Sequence, residues 1–266
     1  VQDPGTPYWM LMLLAFLAGL GGGNFSSFMP STSLFFPKRL QGTALAIQAG
    51  IGNFGVSIVQ FVTPWIIGFA LMGGAAFMGD SQTLTKAGVQ SQVYLQNAAA
   101  VMIPFTFVFG VSAWLMLKSV PVKANFAQQF DIFRSRHTWS MTSLYMMTFG
   151  AFSGLAATFP LLIKQIYGGF EGAPDPLAWA LYGPLVGSAD RVVAGPLSDK
   201  LGGARVTHWA GLGMLASAVW VTTLTSPTGL DRFPMFVAGM LTMFFFAGVG
   251  NARTFKQMPM LFEPRH

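Results

Sequence analysis

Residues 19–60 read GLGGGNFSSFMPSTSLFFPKRLQGTALAIQAGIGNFGVSIVQ, and this stretch decides the fold. It joins two apolar segments, residues 8–36 and 43–71, through a short basic connection that holds Lys38 and Arg39. Each segment exceeds the ~20 apolar residues with which an α-helix crosses the ~30 Å hydrocarbon core of a bilayer. Glycine is abundant here, although it costs a helix about 1 kcal/mol relative to alanine, and in membranes it allows close packing. The pattern predicts two membrane-spanning helices joined by a tight hairpin.

The composition places the whole chain in the membrane class. Hydrophobic residues make up 53% of the sequence and charged residues only 9%, too few to cover a water-soluble globule. The net charge is +6, but the basic residues fall in short loops beside apolar segments, so nucleic-acid binding is not indicated. The chain has no cysteine and therefore no disulfide. It opens without a Met or a basic signal-peptide region, so we expect an internal part of a longer protein.

Hydropathy predicts seven membrane-spanning helices, separated by glycine- and proline-rich connections and by a polar loop that ends at Gln96. The apolar segments are residues 8–36, 43–71, 97–117, 138–166, 177–198, 206–225 and 232–250.

The basic residues alternate between the connections, which predicts the orientation in the membrane. Eleven of the fifteen lie in the connections 37–42, 118–137 and 199–205 and in the C-terminal tail. Because cytoplasmic loops carry the excess of Lys and Arg, these connections are predicted to be cytoplasmic and the chain to begin outside.

The glycine-rich stretch also identifies a family. The run GGGNF…FFPK…G…GNFGVS closely resembles the nitrate signature of the nitrate/nitrite porters of the major facilitator superfamily. The match extends over about forty residues in the same order. The resemblance implies an all-α, polytopic membrane protein built as a superfamily helical bundle, here a partial bundle with about seven transmembrane helices.

A second motif resembles the short loop motif of the same superfamily, G-x-x-x-D-[RK]-x-G-x-x-[RK]. An Asp in such a turn can cap a helix N-terminus or pair with a basic neighbour, and an ordinary polar turn is the alternative. The motif residues in this chain are Gly195, Asp199, Lys200, Gly202 and Arg205.

The resemblance implies a domain organisation. In this superfamily a long basic cytoplasmic loop joins two six-helix halves, and residues 118–137 match it. Residues 1–117 would then be the end of the N-terminal half, helices 4 to 6, and residues 138–266 the start of the C-terminal half, helices 7 to 10. Three helices are expected before this chain and two after it.

Arg191 is the leading candidate for substrate binding. It lies two turns before Asp199, or ~12 Å inside the cytoplasmic end of its segment. A charge within a membrane span is costly and marks a functional site by default, although a snorkelling arginine is the alternative. A guanidinium offers a planar fork of donors suited to a flat oxyanion. The resemblance places the family's eighth-helix substrate arginine at Arg191; its second-helix partner would lie outside this chain.

Two aromatic residues match the family's pair that sandwiches the planar anion. They are Phe25, directly after a Gly-Gly-Gly-Asn run, and Phe149. Tyr145 lies four residues before Phe149, so the two share a helix face and can meet one ligand. Packing is the usual role of such aromatics, and only the motif context favours the binding role.

Residues of the second apolar segment complete the predicted site. Asn53 could donate its amide to the anion, with interhelical hydrogen bonding as the alternative. Gly50, Gly52 and Gly55 are expected to permit close helix approach. Asp190 adjoins Arg191 but points about 100° away around the helix, so it is a partner elsewhere or a proton site.

The predicted function is transport of nitrate or nitrite by alternating access across the bacterial inner membrane, by a monomer without cofactor or metal. The three histidines have no metal-binding spacing, and no catalytic constellation indicates an enzyme. Scarce intramembrane carboxylates favour nitrate/nitrite exchange over proton symport, which stays open. A superfamily carrier for another small anion or organic acid is the alternative. A seven-helix receptor or retinal protein is disfavoured, because a retinal protein would need a lysine in the middle of the last segment and residues 232–250 contain none.

Overall fold

The computed structural model describes residues 5–23, 29, 32, 35–68, 80–86, 89–117, 130–201 and 203–261. These residues are mostly helical. The helices are α1 (Tyr8–Gly23), α2 (Lys38–Ile66), α3 (Asn97–Ala100), α4 (Met102–Met116), α5 (Arg136–Tyr145), α6 (Ala151–Tyr167), α7 (Pro176–Ala180), α8 (Tyr182–Leu201), α9 (Gly203–Thr222) and α10 (Phe233–Leu261). Two 3₁₀ turns cover Phe130–Arg134 and Leu230–Arg232, a π-helical turn, Met146–Gly150, joins α5 to α6, and the strands are β1 (Gln82–Lys86) and β2 (Val89–Val93).

Four helical stretches among the described residues are long and apolar enough to cross a membrane. They are Thr43–Ile66, Asn97–Met116, Arg136–Tyr167 and Leu230–Ala252, and a shorter apolar helix covers Tyr8–Gly21. The prediction of an all-α, multi-pass membrane protein is thereby confirmed. The predicted spans 177–198 and 206–225 correspond to α8 and α9, helices of 20 residues each that are not among these four.

The boundary between α8 and α9 differs from the prediction. α8 continues to Leu201 and α9 begins at Gly203, so the predicted connection 199–205 is largely helical. Asp199 therefore lies in the last turn of α8, and its role in capping a helix or pairing with a basic neighbour stays a prediction.

The predicted polar loop before Gln96 contains an antiparallel hairpin that the sequence analysis missed. β1 pairs with β2 in the register Gln82↔Val93 to Lys86↔Val89. The Gln92 amide donates to the Thr83 hydroxyl at 3.0 Å, and the Leu95 backbone N–H donates to the Gln82 side-chain oxygen at 3.1 Å. Alternating β-branched and polar residues favour such strands even in a short polar segment.

The chain forms two compact units, of which the first comprises residues 1–31 and 62–122. In this unit the Asn97 amide is buried and donates to the Ile66 carbonyl at 3.4 Å. The helix α4 has no buried residue, and Trp114, for example, is 83% exposed. A helix that is apolar on all sides and exposed is suited to a lipid environment.

The second unit comprises residues 32–61 and 123–266 and contains the main hydrophobic core. The buried residues recur at helical spacing along α6 and α10, and α9 contributes two more, with a third just beyond its end. The Phe244 ring lies at the centre, edge-on to Phe152 and Phe159 at centroid distances of 6.0 and 6.1 Å. The core members are Phe152, Ala156, Phe159, Ile163 and Tyr167 on α6, Met214 and Val221 on α9 with Leu224 just beyond it, and Phe233, Phe236, Val237, Met240, Phe244 and Ala247 on α10.

Candidate functional site

Arg191, in the middle of α8, is the largest fully buried side chain among the described residues. Its exposed fraction is 1%. One terminal nitrogen, Nη1, donates to the Ala49 carbonyl on α2 at 3.4 Å, and the other, Nη2, donates to the side-chain oxygen of Asn251 on α10. A snorkelling arginine would end in solvent, whereas this guanidinium ends between two neighbouring helices.

Glycines let these helices approach α8 closely enough to reach the guanidinium. A Cβ added at Gly50 would meet the Val192 side chain and lie 3.2 Å from the Ser188 carbonyl oxygen. A Cβ added at Gly248 would meet the backbone carbonyl of Gly187. The backbones of α2 and α10 therefore pack against the turn of α8 that precedes Arg191.

Phe149, one member of the predicted aromatic pair, lies beside the same guanidinium; the other member, Phe25, lies outside the described residues. The centre of the Phe149 ring is 5.8 Å from the Arg191 Cζ, within the range of a cation–π interaction. The Tyr145 ring stacks on Phe149 with centroids 5.2 Å apart and an interplanar angle of 12°. The prediction that Tyr145 and Phe149 share a face is confirmed.

Phe149 belongs to the π-helical turn between α5 and α6. The Thr148 hydroxyl is buried in this turn and donates to the Leu144 carbonyl at 3.0 Å, with the Tyr145 carbonyl at 3.5 Å. π-helical turns are rare and are frequently found at functional sites. Hydrophobic spacing did not predict this turn.

The structure brings some predicted site residues together and leaves others apart. Phe149 lies beside Arg191, Tyr145 stacks on Phe149, and Gly50 packs against the neighbouring residues of α8. Asn53 is partly buried and lies one helical turn after Ala49, on the same face of α2.

The other predicted residues are solvent-exposed, lack close helix contact, or lie outside the described residues. Gly52 is exposed, and a Cβ added at Gly52 or Gly55 would meet nothing within 4 Å among the described residues, so these two glycines make no close helix contact within that part of the chain. Gly52 lies about 200° around α2 from Gly50, which turns it away from α8. Phe25 and Gly202 lie outside the described residues, and Arg205 is exposed in the first turn of α9.

Asn251 is the site residue that the sequence analysis missed. The last apolar segment was predicted to end at residue 250, but α10 continues to Leu261, so Asn251 lies inside the helix. Its exposed fraction is 1%. One signal could have found it, because the pattern Gly-x-Gly-Asn occurs at residues 21–24, 50–53 and 248–251.

The electrostatic character of the site follows from the acceptors around Arg191. The Ala49 carbonyl and the Asn251 amide are both neutral, so they stabilise the guanidinium without cancelling its charge. Removing a charge from water is costly, and an anion that binds next to it recovers part of that cost. The described residues include no group of His, Cys, Asp or Glu placed to hold a metal ion. The arrangement is chemically suited to binding a small anion.

Comparison with known proteins gives one family and several relatives. Residues 4–260 match the family model described as Major Facilitator Superfamily. The chain is 66% identical over 266 residues to the probable nitrate/nitrite antiporter NarK2 of Thermus thermophilus, covering 100% of this chain and 60% of that protein. It is 36% identical over 267 residues to the nitrate/nitrite transporter NarU of Escherichia coli K12, covering 99% and 55%.

The name of a more distant relative also refers to nitrite. The nitrite extrusion protein of Bacillus subtilis 168 is 27% identical over 248 residues, which cover 93% of this chain and 55% of that protein. The chain thus spans between 55% and 60% of the length of these three relatives. The family match extends over nearly all of its residues, including every helix around Arg191, and the chain belongs to the Major Facilitator Superfamily.

Proposed function

We propose that the protein is a carrier, not an enzyme, and that it moves nitrate and nitrite across a membrane by alternating access. The observation that carries the proposal is Arg191, a charged side chain 1% exposed within a helical bundle and held by neutral acceptors. The relatives named as nitrate/nitrite transporters support the choice of anion.

The side chains around Arg191 fit a flat, singly charged oxyanion. The guanidinium is planar and can donate two parallel N–H bonds to two oxygens of one anion. The Phe149 ring provides an apolar face beside the guanidinium at 5.8 Å, against which a planar anion can stack. We assign Arg191, Phe149, Tyr145, Asn53 and Gly50 to the binding site, with Phe25 as a further member.

The domain organisation and location form part of the same proposal. Residues 1–117 would end the first half of the carrier, residues 118–137 would be the cytoplasmic connection, and residues 138–266 would begin the second half. The motif from Gly195 to Arg205 would lie at the cytoplasmic gate. We propose a monomer in the bacterial inner membrane, in line with the bacterial relatives.

The scarcity of acidic side chains in the helices bears on whether nitrate is exchanged for nitrite or carried together with a proton. Among the helices that the structure describes, Asp190 is the one carboxylate distant from a helix end. It is partly buried, and its Oδ2 atom has no hydrogen-bond partner among the described residues. A proton relay usually needs a chain of acidic or histidine side chains. We therefore favour nitrate/nitrite exchange over proton symport.

The substitution Arg191→Lys in the full-length protein tests this function. Lysine keeps the charge, so membrane insertion should survive, but an ammonium cannot grip two oxygens of a flat anion. Nitrate affinity is expected to fall by about 1.5–3 kcal/mol, or about ten- to hundredfold, the worth of one hydrogen bond to a charged group. The measurement is nitrate uptake into cells together with the abundance of the protein in the membrane.

Arg232→Lys is the matched control, because Arg232 is exposed in a 3₁₀ turn and its replacement should leave uptake unchanged. Normal nitrate uptake by Arg191→Lys at normal abundance would refute the site. If the unchanged protein takes up another small anion or an organic acid but neither nitrate nor nitrite, the carrier has a different substrate.

A further inference from the structure

We propose that Asn251 is a latch on Arg191. In the absence of substrate its side-chain oxygen holds the guanidinium, and the incoming anion displaces it. This inference rests on the proposed function, since it concerns how the carrier binds its anion. Asn251 is thus a positioning residue that acts through Arg191.

Both terminal nitrogens of Arg191 already have an acceptor. Nη1 donates to the Ala49 carbonyl and Nη2 donates to the Asn251 side chain. Each terminal nitrogen carries two N–H groups, and the proposal places an anion gripped by both nitrogens on the side of the guanidinium that faces Ala49 and Asn251. Binding of the anion therefore competes with at least one of them.

Of the two acceptors, the Asn251 side chain is the one that can move away. The Ala49 carbonyl is part of the backbone of α2, within the helix Lys38–Ile66, and cannot leave without moving that helix. The Asn251 acceptor is at the end of a side chain that can rotate. Its amide nitrogen is buried and has no hydrogen-bond partner among the described residues, so the bond to Arg191 is the one that holds the amide.

Glycines of α10 place the Asn251 side chain next to Arg191. Gly248 brings the α10 backbone against the Gly187 carbonyl, and a Cβ at Gly250 would lie 2.7 Å from the Thr148 methyl group. Asn251 follows directly, so the small residues of this Gly-x-Gly-Asn pattern allow its side chain to reach Arg191. The copy at residues 50–53 directly follows Ala49, which supplies the other acceptor. Both patterns therefore lie at one guanidinium.

A latch stabilises the empty carrier at the expense of binding. The buried charge needs an acceptor when no anion is present, because an unpaired buried charge is costly. An acceptor that can be displaced meets this need and lowers the affinity for the anion by the strength of its own bond. Removing the latch should therefore strengthen anion binding, and making it permanent should weaken binding.

Two substitutions at position 251 of the full-length protein test the latch with opposite expected signs. Asn251→Leu keeps the volume, excludes water and removes the acceptor, so the dissociation constant for nitrate should fall about tenfold, toward the lower limit for a hydrogen bond to a charged group. Asn251→Asp has the same shape but adds a carboxylate that pairs with Arg191. Its dissociation constant should rise by about tenfold or more. Both constants are measured by calorimetry on purified protein, together with the nitrate-dependent change in Tm.

Asn97→Leu is the matched control, because Asn97 is also 1% exposed and hydrogen-bonded, but lies in the other unit. It should lower Tm without changing the dissociation constant. A purely structural role of Asn251 would lower Tm and leave the dissociation constants unchanged, which would overturn the latch. Weaker nitrate binding by Asn251→Leu, or undiminished binding by Asn251→Asp, would also overturn it while the proposed function stands. If the unsubstituted protein binds no nitrate, the proposed function fails and the latch with it.

Discussion

The chemistry of this protein is concentrated in a single buried positive charge. Arg191 is almost completely removed from solvent and is approached by an aromatic ring, a backbone carbonyl and a side-chain amide from three other segments of the chain. Each of these groups stabilises a cation without neutralising it. The site therefore keeps its attraction for an anion, which a buried carboxylate partner would remove.

The substitution Phe149→Leu tests the aromatic contribution to this site. Leucine keeps an apolar side chain but removes the flat ring against which the anion is proposed to stack, and a stacked ring contact is worth about 0.5–1.5 kcal/mol beyond its buried area. The dissociation constant for nitrate should therefore rise between about twofold and tenfold. The measurement is nitrate binding to the purified full-length protein.

Phe152→Leu provides the comparison for the aromatic prediction. Phe152 lies less than one turn further along, is 3% exposed and packs against Phe244 in the core. This change should lower the stability of the protein more than Phe149→Leu and leave nitrate affinity nearly unchanged. Equal effects of the two substitutions on affinity would show that Phe149 acts by packing alone.

Sequence spacing predicted part of this site and missed the rest for physical reasons. Arg191 was identifiable because a charge inside an apolar segment is costly, and the spacing of four residues placed Tyr145 against Phe149. Asn251 was missed because hydropathy ends a segment at the first polar residues, whereas α10 continues to Leu261. The close approach of α2 and α10 to α8 depends on tertiary packing, which hydropathy does not encode.

At the level of the helices, glycine determines how closely neighbours pack. Gly248 faces the Gly187 carbonyl of α8, whereas Gly154 on α6 faces open space, with nothing within 4 Å of an added Cβ among the described residues. The two glycines have the same helix propensity and differ in their surroundings. The effect of an alanine on stability should therefore be set by close packing at Gly248 and by helix propensity at Gly154.

Gly248→Ala and Gly154→Ala in the full-length protein test this difference. Gly248→Ala should destabilise the protein by about 1–3 kcal/mol, the usual cost of overpacking, because α10 must move away from α8. Gly154→Ala should be neutral or stabilise by up to about 1 kcal/mol, the difference in helix propensity. The measurement is the Tm of each purified variant, and a lower Tm for Gly154→Ala than for Gly248→Ala would contradict the packing argument.

The helices were easier to predict than their ends and the connections between them. Long apolar segments indicated α2, α4 and α10 correctly, because crossing a bilayer requires both length and apolarity. The hairpin of β1 and β2 was missed because five-residue strands carry a weak periodic signal. The helical continuation of α8 to Leu201 was missed because glycine and charged residues there resemble a turn.

For the molecule as a whole, the orientation in the membrane remains a prediction from loop charges. Ser91 is exposed on β2 and Arg134 is exposed in the 3₁₀ turn before α5. One candidate membrane span, Asn97–Met116, lies between them. The 12 residues at 118–129 are fewer than the ~20 that a second crossing needs, so Ser91 and Arg134 should lie on opposite sides.

Single cysteines at Ser91 and Arg134 test this orientation, and the present sequence contains no cysteine that would give background labelling. Because cytoplasmic loops carry the excess of basic residues, Arg134 should be inside and Ser91 outside. A membrane-impermeant maleimide should label a cysteine at position 91 in intact cells and one at position 134 only after permeabilisation. A cysteine at the exposed Ser226, in another connection predicted to be external, should behave like the one at position 91. Labelling of position 134 in intact cells, with position 91 protected, would reverse the orientation and place the Gly195–Arg205 motif at the external end of the carrier.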